Sequence, residues 1–450
     1  MKRDVGDRDR HHTVGTHERD LTLAPKTGTL SSGRNRDVQS LPPPEILDYV
    51  VNLLHDKPEA LKECCLASKS WVPRTRKHLF AEIGFFSDED LESWTKTFLD
   101  PSNCPGHHTR TLIFSCPGAF MAKDPRAGDL VRNFPRIVRL VLTIPKNLCE
   151  SEISLAPLCK SSPSLKSIHV DFPFLQLRKT FDLILSFPLL EDLALFGHKL
   201  CGSGPHGSQA VDPSPSPAFT GSLDLNMPQD NGNTTRRLLD LPNGLHFRKL
   251  VLTQYAGEYG WIMELVTRRS DTLECLNVGF YLPCTFVLVL HWIYDLLSSA
   301  GDIGPASIDL SKATKLRDVV FQPAMRTVTW IITALQTITT GHRDLRQISI
   351  HVPNNLPLTD DGGNVGQIVG EVTYREWLDL DDLLVQFWES RSIHPKVILD
   401  STMWVGKGRI KYCIGYLLPE ITKRGIIDLV RLVNTINTIR YMFLPFSSIT

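Results

Sequence analysis

The sequence lacks three features that would assign it to a specialised class of protein. Crossing a bilayer takes about 20 apolar residues, and the most apolar window, residues 285–300, is interrupted by His291 and Asp295. The 49 basic residues balance 49 acidic ones, so the chain has no net positive charge to attract it to nucleic acid or to an anionic membrane. The ten cysteines contain no C-x-x-C pair and are too dilute for a disulfide framework. We therefore expect a soluble cytoplasmic and/or nuclear protein that binds neither membrane nor nucleic acid.

Residues 1–40 contain almost no large apolar side chain and no aromatic one. Such a segment cannot bury enough surface to offset the entropy of ordering, so the sequence predicts a disordered tail. Its basic residues alternate with acidic ones instead of clustering. This pattern favours a solvated tail over a nuclear localisation signal.

Residues 41–85 have the pattern of three short helices. The first is predicted for residues 44–54, with Leu47, Val51 and Leu54 on one face. The second has Pro58 in its first turn and the third begins near Ser70. Helices of this size bury too little surface to stand alone with certainty, so they need the rest of the chain or another protein as a partner.

An apolar motif of the form L-x-x-L-x-L recurs beyond residue 100. Five of the seven intervals between its middle residues fall between 25 and 29, the spacing of leucine-rich repeats. The predicted fold is therefore α/β, a leucine-rich-repeat solenoid with parallel strands on the concave face and helices or irregular crossovers outside. We expect its first half at 105–200 and its second half, with a C-terminal helical cap, at 238–450. The middle residues are Leu112, Leu140, Ile168, Leu193, Leu250, Leu276, Val319 and Ile348.

Two long intervals interrupt the repeats. Residues 201–237 are rich in Gly, Pro, Ser and Asn and form a low-complexity insertion, which is either disordered or one eroded repeat around Leu223-Asp-Leu225. Residues 281–305 are predicted to hold one extra helix. Near the end, a helix is predicted over 376–390, and a last strand at 395–399.

Alternation along the strands predicts which side chains line the concave face, because residues between inward anchors point outward. Their chemistry is mixed, so the sequence does not name the substrate. The main candidates are Arg139, His169, Asp192, Lys249, Asn277, Asp318, Gln347 and His351, with Thr143, Ser167 and Ser349 on the same strands.

Catalytic and metal-binding motifs are poorly represented. Gly202 to Gly207 match a dinucleotide fingerprint, but the following Pro-rich stretch offers no helix for a phosphate. His107 and His108 near Cys104 favour an exposed loop over a zinc site because their spacing is irregular. The acidic residues at 379–382 favour a solvated helix face over an acid–base pair. We expect no enzyme activity, no cofactor and no metal.

The helical segment resembles the F-box of a large fungal family. The resemblance covers residues 41–85 and lies in Leu41-Pro-Pro-Pro-Glu-Ile-Leu47, Ala60-Leu61, Cys64-Cys-Leu-Ala-Ser-Lys-Ser-Trp71 and Arg76-Lys-His-Leu-Phe80. The run from Cys64 to Trp71 is the most specific part. The repeats and the run from Leu383 to Arg391 are similar to the remaining chain of the same family.

This resemblance implies a substrate-recognition adaptor of a cullin-based (SCF-type) ubiquitin ligase. The F-box would dock on the S-phase-kinase-associated linker protein and, through it, on a cullin, while the repeats would bind a protein substrate. The alternative is a non-catalytic repeat scaffold for protein–protein interaction, whose F-box-like helices only cap the array. By position in the motif, the linker-binding residues would be Pro43, Ile46, Leu61, Cys64, Ala67, Ser68 and Trp71.

Overall fold

A computed structural model describes fifteen stretches of the chain. They are residues 43–100, 103–115, 133–143, 164–171, 177–197, 217–226, 233–241, 244–255, 260–281, 308–322, 328–352, 371–393, 395–400, 414–426 and 428–432. The chain divides into two units, Met1–Val50 and Val51–Thr450. The predicted tail, the glycine fingerprint at 202–207, the extra helix predicted after Tyr281 and residues 353–370 lie outside the described residues.

Three short helices come first, as the sequence predicts. They are α1 (Pro44–Leu53), α2 (Pro58–Ala67) and α3 (Val72–Leu79). Proline stands in the first turn of both α2 and α3, where its missing N–H has no helical partner to lose. Thr75 of α3 is fully buried, and its hydroxyl donates to the Trp71 carbonyl at 2.9 Å.

One parallel sheet dominates the second unit, which confirms the α/β class. The twelve strands of the described sheet pair in sequence order, so each contacts only the strands before and after it in the chain, as in a solenoid. The strands are β1 (Glu82–Phe85), β2 (Thr111–Phe114), β3 (Arg139–Thr143), β4 (Ser167–Asp171), β5 (Asp192–Phe196), β6 (Ser222–Asn226), β7 (Lys249–Tyr255), β8 (Cys275–Tyr281), β9 (Asp318–Gln322), β10 (Gln347–Val352), β11 (Pro395–Asp400) and β12 (Asp428–Leu432).

A backbone clamp repeats where successive strands begin. The carbonyl oxygen of Arg110 accepts from the amides of Val138 and Arg139, at 2.8 and 2.9 Å, so one acceptor holds the start of the next strand with two bonds. Because only main-chain groups take part, the clamp is independent of the side chain at that position. The same two-bond arrangement occurs at the carbonyls of Ala81, Val138, Lys166, Gly221, Arg248, Glu274 and Arg317.

The core lies on one face of the sheet. Strand side chains alternate between buried and partly exposed, and the buried set forms one cluster with the apolar sides of the connecting helices. In the helix Gly260–Arg269, for example, Trp261, Ile262 and Leu265 are buried in this cluster. The remaining helices are α4 (Asp88–Thr97), α5 (Leu177–Leu185), α6 (Asn233–Leu239), α7 (Gly260–Arg269), α8 (Thr329–Gln336), α9 (Glu371–Arg391) and α10 (Pro419–Lys423).

The predicted repeat anchors all lie in strands. Each of the eight is the second residue of its strand and is buried. Of the two interpretations of 201–237, the structure has a strand at Leu223-Asp-Leu225: β6 pairs with β5 and β7, and α6 begins within the same range. The strand predicted at 395–399 is β11.

Two strands were not predicted. β1 lies within the last residues assigned to the helical module, since Glu82 to Phe85 pair with β2. The array therefore begins earlier than the predicted 105. At the other end, β12 extends the sheet beyond β11.

Asp381 connects α9 to α10. Its carboxylate is buried and accepts from the backbone amides of Glu420, at 2.6 Å, and Ile421, at 3.1 Å. Burial raises the pKa of this carboxyl, while the two backbone bonds oppose the rise by favouring the charged form. The predicted solvated face is therefore wrong for this residue, although Asp379 and Asp382 are exposed.

We predict that Asp381→Asn lowers the free energy of unfolding by about 1–3 kcal/mol, because an amide has one acceptor oxygen and leaves a buried N–H without a partner. Urea denaturation measures the change. Asp382→Asn, one residue away and exposed, should stay within about 0.5 kcal/mol of the wild type. Equal effects of the two substitutions would contradict the capping role.

Candidate protein-interaction surfaces

Helix α1 carries two sets of apolar side chains. Leu47 and Val51, four residues apart, are buried. Ile46, Tyr49 and Leu53 share a second face at i, i+3 and i+7 and are 52%, 62% and 59% exposed. We call these three residues the α1 stripe. Exposed apolar residues gathered in this way are typical of an interaction site, whereas isolated ones need no explanation.

The other predicted linker-binding residues differ in their exposure. Pro43 and Ala67 are exposed, while Cys64, Ser68 and Trp71 are partly buried. Leu61 is only 1% exposed, so its side chain belongs to the interior and cannot contact a partner at the surface. The sequence could not show which role Leu61 has, because a leucine that packs in the interior and a leucine that contacts a partner recur at the same helical spacing. Leu66, not predicted, is 81% exposed.

The turn between α2 and α3 is held by hydroxyl groups. The Ser70 amide donates to Ser68 Oγ at 3.3 Å, and the Trp71 amide donates to the Ser68 carbonyl at 3.1 Å. Thr75 Oγ1 donates to the Trp71 carbonyl at 2.9 Å and lies 2.7 Å from Cys65 Sγ, a contact in which either atom serves as the donor. The backbone of Trp71 is thus held at both its amide and its carbonyl.

The second surface is the side of the sheet opposite the core, which we call the open face. All eight predicted substrate-binding residues lie on it, at the first, third or fifth position of a strand. Arg139 and Lys249 are exposed, and the other six are partly buried. Ser349, expected on the same face, is fully buried and accepts from Gln347 Nε2 at 2.7 Å.

Several open-face side chains contact their neighbours across strands. Asp192 Oδ1 accepts from both the amide and the hydroxyl of Ser222, at 2.6 and 2.8 Å. Asn277 Oδ1 accepts from Gln322 Nε2 at 3.1 Å. These bonds stabilise the pairing of the strands, so these residues are less available to a ligand than their position alone implied.

The largest electrostatic perturbations on this face occur on β4 and β6. Burial, together with the nearby Arg139, lowers the pKa of His169 to about 4, and its ring stacks on Phe196 with centroids 4.6 Å apart and planes at 15°. Burial raises the pKa of Asp224 to about 6, and Lys249 opposes the rise. Phe196 and Asp224 were not among the predicted site residues. The Leu-Asp-Leu pattern around Asp224 was the available signal.

The remaining motifs acquire no chemistry from the structure. His107 Nδ1 lies 2.6 Å from the Cys104 carbonyl oxygen, and the rings of His107 and His108 are 3.9 Å apart. Within the fifteen described stretches, no group of three or more His, Cys, Asp or Glu residues is placed to hold a metal ion. None of the helices in those stretches has the length and apolar character needed to span a bilayer.

No protein-family model matches the chain, and no curated protein matches it in sequence. The α1 stripe and the open face are therefore interpreted from their own geometry.

The shifted pKa values of Asp224 and His169 predict opposite pH dependences of the free energy of unfolding. Because the folded-state pKa of Asp224 is raised from 3.8 to about 6, this residue contributes stability at low pH that is lost as the pH rises through 6. Because the folded-state pKa of His169 is lowered from 6.5 to about 4, it contributes stability above pH 6.5 that is lost as the pH falls toward 4. Each of the two pKa changes corresponds to about 3 kcal/mol.

Asp224→Asn and His169→Phe should therefore separate the two contributions. Between pH 4.5 and 7.5, the unfolding free energy of the wild type relative to Asp224→Asn should fall, and relative to His169→Phe it should rise. Urea titrations across this range measure both differences. Parallel slopes for the two variants would contradict the assignment.

Proposed function

We propose that this chain is the substrate-recognition adaptor of a cullin-based (SCF-type) ubiquitin ligase. Helices α1 to α3 would dock on the S-phase-kinase-associated linker protein, and the open face of the repeats would bind a protein substrate. The proposed linker contacts are Pro43, Ile46, Cys64, Ala67, Ser68 and Trp71. Leu61 supports α2 from the interior.

The α1 stripe is the observation that carries this proposal. Six large apolar side chains of the described residues are exposed, and four of them lie between Ile46 and Leu66. Leaving an aliphatic side chain in water forgoes about 1.5–3 kcal/mol of burial, so a stable partner surface is the simplest reason for this concentration. The same segment carries the F-box resemblance.

The array suits a protein substrate better than a small molecule. The open face extends across successive strands at about 4.8 Å each, and its side chains are polar, charged and aromatic by turns. A surface of this kind is suited to binding an extended polypeptide or a folded domain. The adaptor would act by positioning the substrate, while ubiquitin transfer takes place on another subunit.

One observation favours the alternative of a capped scaffold. The chain passes directly from α3 into β1, and the Ala81 carbonyl accepts from the amides of Arg110 and Thr111. The helix α3 also contacts the 3-10 turn Pro105–His108. These contacts would suit a unit that closes the first end of the sheet.

Co-expression with the linker protein tests the proposal. We expect a one-to-one complex by size-exclusion chromatography with light scattering. Ile46→Ala and Trp71→Ala should each raise the dissociation constant about tenfold or more, equivalent to at least about 1.4 kcal/mol. Titration calorimetry measures the dissociation constants.

Leu189→Ala is the matched control, since Leu189 is 55% exposed but lies outside the three helices. It should leave the affinity unchanged. No complex with the wild-type chain would overturn the adaptor and favour the scaffold. A complex that tolerates Ile46→Ala and Trp71→Ala would overturn the proposed surface.

A further inference from the structure

A narrow slot lies on the open face between β4 and β6. Strand register places His169 opposite Ala194, and Ala194 opposite Asp224, so the three residues form one row across three strands. Adjacent strands are about 4.8 Å apart, which separates the outer two Cα atoms by about 10 Å. Only a methyl group stands between them. Because the alanine side chain is small, the surface has a depression above Ala194, between the side chains of His169 and Asp224.

The first wall of the slot is aromatic. The His169 ring stacks on Phe196, which comes from the same strand as Ala194, two residues further along. Burial and the positive charge of Arg139 keep the imidazole neutral at physiological pH, because its pKa is lowered to about 4. The stacked pair therefore gives the slot an uncharged aromatic wall.

The second wall is the carboxylate of Asp224, which has no positively charged side chain in contact with it among the described residues. Asp224 is partly buried between Leu223 and Leu225, and it forms no hydrogen bond or ion pair with any other residue that the structure describes. Lys249, on the next strand, interacts with it only at longer range. Partial burial of a carboxylate is unfavourable until a donor or a cation satisfies it.

Charged side chains of both signs stand beside the slot, in the row of first strand positions. Asp192, on the strand that supplies the floor, binds Ser222 through Oδ1, while Arg139 and Lys249 are exposed on β3 and β7. Within the slot itself the charged side chain is Asp224. A cation satisfies this carboxylate, whereas an anion meets a like charge and an apolar group leaves it unsatisfied.

We propose that this slot binds the side chain of a lysine or arginine of the partner protein, with its cationic group on the Asp224 carboxylate and its stem against Phe196 and Ala194. This inference deepens the proposed function, on which it rests for the identity of the partner as a protein. The planar guanidinium of arginine suits the stacked rings, and the ammonium of lysine suits the carboxylate.

Titration of the full-length chain with ethylguanidinium chloride tests the slot directly. The protein is labelled with ¹³C at alanine methyl groups, and the Ala194 resonance, assigned by Ala194→Ser, is followed at constant ionic strength. We expect a saturable shift of this resonance in the millimolar range, with sodium chloride alone producing none. Absence of a saturable shift would overturn the proposal.

Three variants make the result specific. Asp224→Asn should weaken binding at least tenfold, and Phe196→Leu should weaken it about three- to tenfold. Asp382→Asn removes an exposed carboxylate of α9, outside the open face, and should leave binding unchanged. Similar losses in Asp224→Asn and Asp382→Asn would overturn the assignment, as would wild-type affinity in both Asp224→Asn and Phe196→Leu.

The pH dependence provides a further check. Protonation of Asp224, whose pKa is about 6, should weaken binding about tenfold from pH 7 to pH 5, while His169, whose pKa is about 4, stays neutral over this range. An affinity that is equal at the two pH values would contradict the role of Asp224.

Linker binding is measured separately, so loss of the linker complex with an intact slot overturns the adaptor alone. An intact linker complex with no response of Ala194 overturns the slot alone.

Discussion

Lateral pairing of parallel strands is the interaction on which the whole second unit depends. A four- or five-residue strand with one apolar side cannot bury that side alone, and each strand here gains its cover from the strand before it, the strand after it and the helices behind them. The register of the pairing then determines every row of the open face. A shift by one residue would turn the buried leucines outward and the polar residues inward.

This dependence explains how residues far apart in sequence form one slot. His169, Ala194 and Asp224 are separated by 25 and 30 positions, and only the register of β4, β5 and β6 brings them into one row. The same register places Phe196 where its ring covers that of His169. The slot is thus a property of three consecutive repeats and of no single one.

The repeat motif was sufficient to predict most strands because its anchors are chemically strict. A buried second position accepts only a large aliphatic side chain, and eight such positions recur with nearly constant spacing. β1 escaped prediction because its residues were assigned to the helical module, although Phe80-Ala-Glu-Ile-Gly-Phe85 has the motif and Ile83 lies 29 residues before Leu112, with which it pairs. β12 follows a short helix where no repeat spacing was expected.

Exposure was harder to predict than secondary structure. Leu61 and Leu66 lie on one helix with the same chemistry, and only tertiary contacts make the first buried and the second exposed. For Asp381, the sequence showed an acidic helix, and the two amides that it caps lie about forty residues away. Long-range partners of this kind leave no local pattern in the chain.

The backbone clamp at the strand starts has a consequence for how such a chain can change over time. The clamp needs only carbonyl and amide groups, so most side chains at these positions are released from maintaining the fold; Gly221, where an added Cβ would meet Asp192, is an exception. Several of the released positions carry charges that meet a charge on a neighbouring strand, as in Lys166 with Glu191 at 2.7 Å and Arg317 with Glu274 at 3.1 Å. Substitutions can therefore change the charges along this edge of the sheet, one strand at a time, while the backbone pairing of the strands keeps its register.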